Sequence, residues 1–337
     1  MRNSGPWTLL VADPNSLRRE KILQAYADRP DIRAVGAASI GEAYRQTEAL
    51  LPKRVSLASE FAQMREFPGL DSLFKMIGAE VVIHGNALSG VMPMAVPPAR
   101  ARANARRTAL HHAGAANPEH APGPAPAGPA IGLQGDPGHG PDIIGIGAST
   151  GGIVAIEHVL AGFPADCPPT LIVQHIRPGF AEGVVRRLDR MVAPRVVAAT
   201  DGADLRRGYV YFATEPGRHL SVIQRAGLRA RLSDEPEVCG HRPAVDVLFT
   251  SLAKVTGRFR IAAALLTGMG TDGADGMALL RQGDAFTIAQ DKATSIIWGM
   301  PQAAIQAGGA AAVLPLDRIA AALLRCKAPA ARTESGQ

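Results

Sequence analysis

Along this chain, short apolar runs alternate with segments of helical spacing in two separate series. The first series occupies residues 7–86. "TLLVAD" (8–13) reads as a strand and "SLRREKILQAYAD" (16–28) as a helix with Leu17, Ile22, Leu23 and Tyr26 on its apolar side. "IRAVGAAS" (32–39) is a second strand, "IGEAYRQTEALL" (40–51) a helix, and "RVSLAS" (54–59) a third strand. "LDSLFKMI" (70–77) is a short helix and "EVVIHG" (80–85) a fourth strand. Strands separated by helices predict parallel pairing, because the crossover returns each strand in the same direction.

The second series runs over 141–326. "DIIGIGAS" (142–149) leads into a helix over 152–163, and "TLIVQH" (170–175) into a helix over 180–192. Residues 195–224 are rich in β-branched residues and turns and read as a β-rich insertion. A helix over 244–257, the strand "RIAAALLTGMG" (260–270), a helix over 274–283 and the strand "AFTIAQ" (285–290) follow. A helix over 300–308, a strand over 311–315 and a helix over 316–326 complete it. The pattern predicts an α/β fold in two domains, each built on a mostly parallel sheet, the larger one doubly wound.

Between the series the periodicity stops. Residues 87–140 contain "VPPARARANARR" and "PGPAPAGPAIGLQGDPGHGP", which have no apolar pattern with which to form a core and read as a disordered linker. Arg100, Arg102, Arg106 and Arg107 make it locally basic, which reads as a solvated tether. The expected units are therefore 1–86, the linker 87–140, a domain over 141–328 and a disordered tail over 329–337.

Composition narrows the function classes. With 337 residues, 47% hydrophobic and 20% charged, the chain has globular composition and length for two cores. No apolar run reaches the roughly 18 residues of a membrane span, and the N-terminal apolar stretch is too short for a signal peptide. Cys167, Cys239 and Cys326 are scattered with no CxxC, which excludes a disulfide framework or cysteine zinc site and fits a cytoplasmic protein. A net charge of +6 admits nucleic acid, but only 4% of residues are aromatic, so no platform for stacking bases is expected.

The candidate chemistry centres on "DIIGIGASTGG" (142–152). A Walker loop needs a lysine for the phosphates, and none lies between residues 142 and 160. A dinucleotide fingerprint needs a third glycine where Thr150 stands, and an acid after the next strand, where Gln174 and His175 stand. What remains is GxSxG: Gly147, Ala148, Ser149, Thr150, Gly151. Such a turn exposes the Ser149 hydroxyl beside unpaired N–H groups at a helix start, although a serine there is more often only a helix cap. A nucleophile also needs a base and an orienting acid. His175 ends the next predicted strand, and Asp272 and Asp275 both lie in the glycine-rich loop after "LLTGMG", so spacing leaves the choice of acid open. The chain order Ser, His, Asp differs from that of an ordinary α/β-hydrolase, which would need a histidine after His241.

"IGIGASTGG", "LIVQHIRPGF", "HRPAVDVLFTSLA", "LLTGMGTDGADGM" and "AQDKATSIIWGMPQAAIQAGG" resemble the catalytic domain of the chemotaxis receptor methylesterase family, CheB, continuously from Asp142 to Cys326. The resemblance implies a protein-glutamate methylesterase that hydrolyses glutamyl methyl esters on chemoreceptor helices and deamidates selected glutamines, without cofactor or metal. It implies Ser149 as nucleophile, His175 as base and Asp272, rather than Asp275, as orienting acid. Thr150, Met269 and Gly270 are expected at the oxyanion, and His241 and Arg242 in a structural or substrate-positioning role without direct chemistry. The hydrolysis is expected to weaken as falling pH protonates the base.

That family also carries an N-terminal receiver domain of flavodoxin-like fold, phosphorylated on an aspartate. Residues 1–86 look like a shortened version that departs from the pattern. Asp13 follows Ala12 rather than a second acid, Ala58 stands at the acceptor position, and His84-Gly85 replaces the hydroxyl residue. No aspartate occurs over 55–59, and no fifth strand with a lysine precedes the linker. The expectation is a pseudo-receiver, not controlled by phosphorylation, that binds an unknown partner or the catalytic domain. A signalling scaffold, or an esterase or deamidase acting on a non-chemotaxis protein, is the alternative.

Overall fold

The computed structural model describes residues 6–64, 66–85, 140–177 and 179–325. The linker expected over 87–140, Gly140 aside, lies outside these residues, as do Cys326 and the tail expected over 329–337.

The first series folds as β1 (Trp7–Ala12), α1 (Ser16–Gln24), β2 (Ile32–Ala37), α2 (Ile40–Leu50), β3 (Arg54–Ala58), α3 (Ser59–Ala62), α4 (Phe67–Ile77) and β4 (Glu80–His84). All pairings are parallel, in the order β2-β1-β3-β4. Local chemistry starts the helices. The Asn15 side chain accepts from the Arg18 N–H at 3.0 Å, and Ser39 accepts from Glu42 at 3.1 Å while Glu42 reaches back to the Ala38 N–H at 2.7 Å. Two details differ from expectation. Leu17 is 71% exposed, so α1 buries Ile22 without it. The one helix expected after β3 is two, because α3 forms directly at the strand end and α4 begins at Phe67.

The second series gives β5 (Ile143–Ala148), α5 (Gly152–Ala161), β6 (Thr170–Gln174), α6 (Ala181–Met191), β7 (Arg195–Ala198), β8 (Tyr209–Phe212), β9 (His219–Gln224) and β10 (Leu228–Ser233). It continues with α7 (Val245–Ala253), β11 (Ile261–Leu265), α8 (Ala274–Gln282), β12 (Phe286–Gln290), α9 (Gly299–Gln306), β13 (Ala312–Leu314) and α10 (Leu316–Leu324). Seven strands form one parallel sheet in the order β13-β12-β11-β5-β6-β8-β7. Of the segment expected to be an insertion, β7 and β8 join the main sheet, and only β9 stays apart, in an antiparallel hairpin with β10, a strand that lies beyond that segment. β-branched content marks strands but does not say which sheet they join.

The strand order determines where a site forms. β5 is buried along its whole length between β6, reached by one crossover, and β11, reached much later on the other side. The direction of winding reverses there, and in open α/β sheets ligands bind outside the carboxyl ends of the strands at such a point, here the ends of β11, β5 and β6.

The two sheets are not independent. Leu70, Leu73 and Phe74 of α4 share one continuous buried cluster with Ile153 and Ile156 of α5. The Gly151 N–H faces the Glu48 carboxyl at 3.4 Å, and the Arg177 guanidinium donates to the Ala49 carbonyl. The end of α2 therefore lies against the turn after β5 and the segment after β6.

Candidate active site

At the carboxyl end of β5 the chain turns at once into α5. Gly151 makes this possible by taking the left-handed conformation, φ 78°, that disfavours a side chain. Gly151 is also the helix N-cap, and no side chain caps α5. Ser149 therefore does not serve as the cap. Its backbone is held on both sides: its N–H donates to the Thr267 carbonyl at 3.0 Å, and its carbonyl accepts from the Gly152 N–H at 2.7 Å. β11 comes this close because Gly268 has no side chain; a Cβ there would sit 2.7 Å from the Cβ of Ser149.

His175 follows β6 by one residue, and its N–H donates to the Ala148 carbonyl at 3.1 Å, which places the two strand ends side by side. Its Nε2 lies 2.7 Å from Asp272 Oδ2. That oxygen also accepts from the Val245 N–H at 2.7 Å, and Oδ1 from the Asp246 N–H at 2.9 Å. Burial of Asp272, which is 1% exposed, works against its charge, but the bonds from His175, Asp246 and Val245 prevail and hold the carboxyl below its usual range. An ionised Asp272 places a proton on Nε2 and leaves Nδ1 of His175 as the basic nitrogen. Nδ1 is buried and has no hydrogen-bond partner. Asp275 is exposed in the first turn of α8, so the loop presents Asp272, not Asp275, to the imidazole.

His241 stacks on His175 with ring centroids 3.7 Å apart and planes 12° from parallel. Burial, and then the neighbouring His175, push the His241 imidazole below its usual value, so it stacks as a neutral ring. Arg242 holds its own loop, donating from Nη1 to the carbonyls of Asp234 at 3.1 Å and Glu235 at 3.0 Å. Thr150 is 7% exposed at the start of the turn, whereas Met269 is 60% exposed with Gly270 beside it at φ 93°. Among the described residues the N–H groups of Thr150, Met269 and Gly270 have no protein acceptor, so they are donors available to an oxyanion.

Two contributors carried no signal in the sequence. Thr267 accepts the Ser149 N–H and donates its hydroxyl to the Thr150 carbonyl at 3.0 Å. His219, fully buried, accepts from the Ala244 N–H at 3.2 Å and meets the Pro236 carbonyl at 3.0 Å, which anchors the loop that carries His241. Cys239, Asp246 and Asp272 bring ligand atoms within 4.8 Å of one another. However, Asp272 is engaged with His175, and Asp246 Oδ1 accepts from the Gly276 N–H at 2.7 Å.

The carboxyl end of the smaller sheet is arranged differently. Asp13 is fully buried, and Arg18 bonds to both its oxygens and to Glu60 at 2.6 Å. His84 Nε2 lies 2.9 Å from Asp13, and its Nδ1 3.0 Å from the Ser56 hydroxyl. Ala58 ends β3 with no side-chain oxygen to offer. Mg²⁺ needs several free oxygen ligands in near-octahedral array. Here the oxygens are committed to a guanidinium and an imidazole, so these residues do not fit the ion.

The CheB methylesterase family model matches residues 144–323. A Pseudomonas aeruginosa protein-glutamate methylesterase/protein-glutamine glutaminase is 38% identical over 98% of this chain and 99% of its own length. One from Gluconobacter oxydans is 36% identical over 96% and 97%. The crystal structure of the Thermotoga maritima CheB methylesterase catalytic domain matches with a TM-score of 0.52 and 33% identity, over 54% of this chain and 97% of that one. No helix among the described residues is long and apolar enough to cross a membrane.

Proposed function

The chain belongs to the CheB methylesterase family, hydrolases of chemotaxis with protein-glutamate methylesterase and protein-glutamine glutaminase activity, and we propose that Ser149, His175 and Asp272 carry out that hydrolysis. The observation that carries the reading is the His175 ring: Nε2 bonded to a buried carboxylate, Nδ1 buried and unpaired. An imidazole fixed at one nitrogen and basic at the other is what a serine hydroxyl needs to lose its proton.

The reaction is acyl transfer on a glutamyl side chain. His175 Nδ1 takes the proton of Ser149 as Oγ attacks the ester carbonyl. The negative charge on the carbonyl oxygen is met by N–H groups of Thr150 and the Met269–Gly270 loop. The imidazolium, stabilised by Asp272, returns the proton to the leaving methoxide, and methanol departs. Water, deprotonated by the same nitrogen, then attacks the glutamyl–Ser149 ester, and the imidazolium returns the proton to Ser149 Oγ as the free glutamate leaves. Deamidation follows the same path with ammonia leaving from a glutamine. His241 fixes the plane of His175, and Arg242 fixes the loop that holds His241. Water and substrate aside, the chain's own residues supply every group in this sequence.

The substrates are methylated chemoreceptor helices, and the N-terminal unit is a pseudo-receiver that acts by contact with a partner or with the catalytic unit. Ala58 in place of an acceptor aspartate, and Arg18 bonded to Asp13 and Glu60, support control without phosphorylation. Incubation with methyl-labelled chemoreceptor should release labelled methanol. Release only from another methylated helical protein would move the substrate outside chemotaxis. Acetyl phosphate with Mg²⁺ should leave the mass of the chain unchanged; a stable aspartyl phosphate within residues 1–86 would contradict the pseudo-receiver.

A further inference from the structure

The strand ends that carry the nucleophile and the base are joined by one side chain. Gln174 is the last residue of β6, in register with Ala148 of β5, and is fully buried. Its Nε2 donates to the carbonyl of Ser149 at 2.8 Å and to the carbonyl of His175 at 3.0 Å. The carboxamide oxygen is buried without a partner and packs against the Cα of Gly152, where any side chain would collide with it. An unpaired buried carbonyl is costly, so the amide is oriented by its two donor bonds rather than by a best arrangement of its own atoms.

We propose that Gln174 is a positioning residue that sets the separation of Ser149 and His175. It touches no reacting atom and acts through the two backbones. Among neutral side chains of this reach, only a carboxamide carries two N–H donors on one nitrogen, which is what two converging carbonyls require. The Ser149 carbonyl also accepts from Gly152, so its peptide plane is fixed by two donors. The Ser149 backbone is then pinned from β6 as well as from β11. Loss of the tie lets the nucleophile turn drift relative to the imidazole. A misplacement of about 1 Å at reacting atoms costs on the order of a hundredfold in rate.

The proposal rests on the Ser149–His175 reading, and the test separates the two. In the full chain, Gln174→Met keeps the volume and removes both donors. Methanol release from methylated chemoreceptor should show kcat reduced roughly a hundredfold with KM nearly unchanged. Gln174→Glu keeps the shape but faces two carbonyl oxygens with a carboxyl. Protonated, it donates to one of them; ionised, it repels both. Its activity relative to wild type should therefore fall as pH rises, giving an alkaline limb that wild type lacks. Thermal unfolding is followed at each pH. A folded Gln174→Met chain with kcat within threefold of wild type would overturn the proposal. So would a Gln174→Glu profile parallel to wild type, or losses that only track unfolding. If Gln174→Met does not fold, the Gln174→Glu profile decides. Activity surviving in Ser149→Ala would instead overturn the triad itself.

Discussion

The acid of the site is chosen by backbone donors rather than by the loop motif. Asp272 and Asp275 are equivalent in spacing, yet Asp272 alone reaches the N–H groups of Val245 and Asp246 and His175 Nε2. Its folded value is lowered, so it contributes stability above the ordinary carboxylate range and loses that contribution as pH falls through the depressed value. Asp272→Asn should cut kcat roughly ten-thousandfold, by stabilising the wrong imidazole tautomer, with little change in KM. Its acid unfolding should also be less steep than that of wild type. A variant with near-wild-type turnover would show that Asp272 does not orient the base. The sequence offered both acids and could not rank them without the family resemblance, because the donors that distinguish them come from α7, 26 and 27 positions away.

At the scale of elements, the site depends on how closely β11 and β5 end together. Gly268→Ala would drive a Cβ into Met300 Sδ and place it 2.7 Å from the Ser149 Cβ. We expect a loss of about 1–3 kcal/mol in stability from overpacking, and a larger proportional loss in kcat, because Ser149 as well as Met300 must give way. Comparing thermal unfolding with turnover of the same preparation checks this; equal proportional losses would deny the site its special sensitivity. Much at this scale was legible in the sequence. Apolar runs marked β5, β6 and β11, and the glycines at their ends marked turns. What was not legible was partnership. β7 and β8 read like the hairpin strand β9 but belong to the main sheet. Thr267, Gln174 and His219 are single polar residues at buried positions, and no period announces them.

For the whole molecule, α2 of the smaller unit lies against the turn that carries Ser149. Glu48 faces the Gly151 N–H, and burial pushes its carboxyl up to about 8. A raised acid stabilises the folded chain below its unfolded value near 4.5, and that contribution is lost as pH rises through about 8. Glu48→Gln keeps a neutral group at the contact, so the difference in thermal midpoint between variant and wild type should widen from pH 5 to pH 8. A constant difference would show that Glu48 is not held neutral there. The linker expected between the two units by composition lies outside the described residues, and no periodicity in the sequence indicated this contact.

Methanol release from methylated chemoreceptor by wild type and by Ser149→Ala tests the central claim most directly. Truncation of the hydroxyl leaves the fold, the oxyanion donors and the His175–Asp272 pair in place but removes the atom that bonds to the glutamyl carbon. The account predicts a loss on the order of a million-fold, leaving only the residual effect of the oxyanion donors and binding. Release by Ser149→Ala within tenfold of wild type would contradict it.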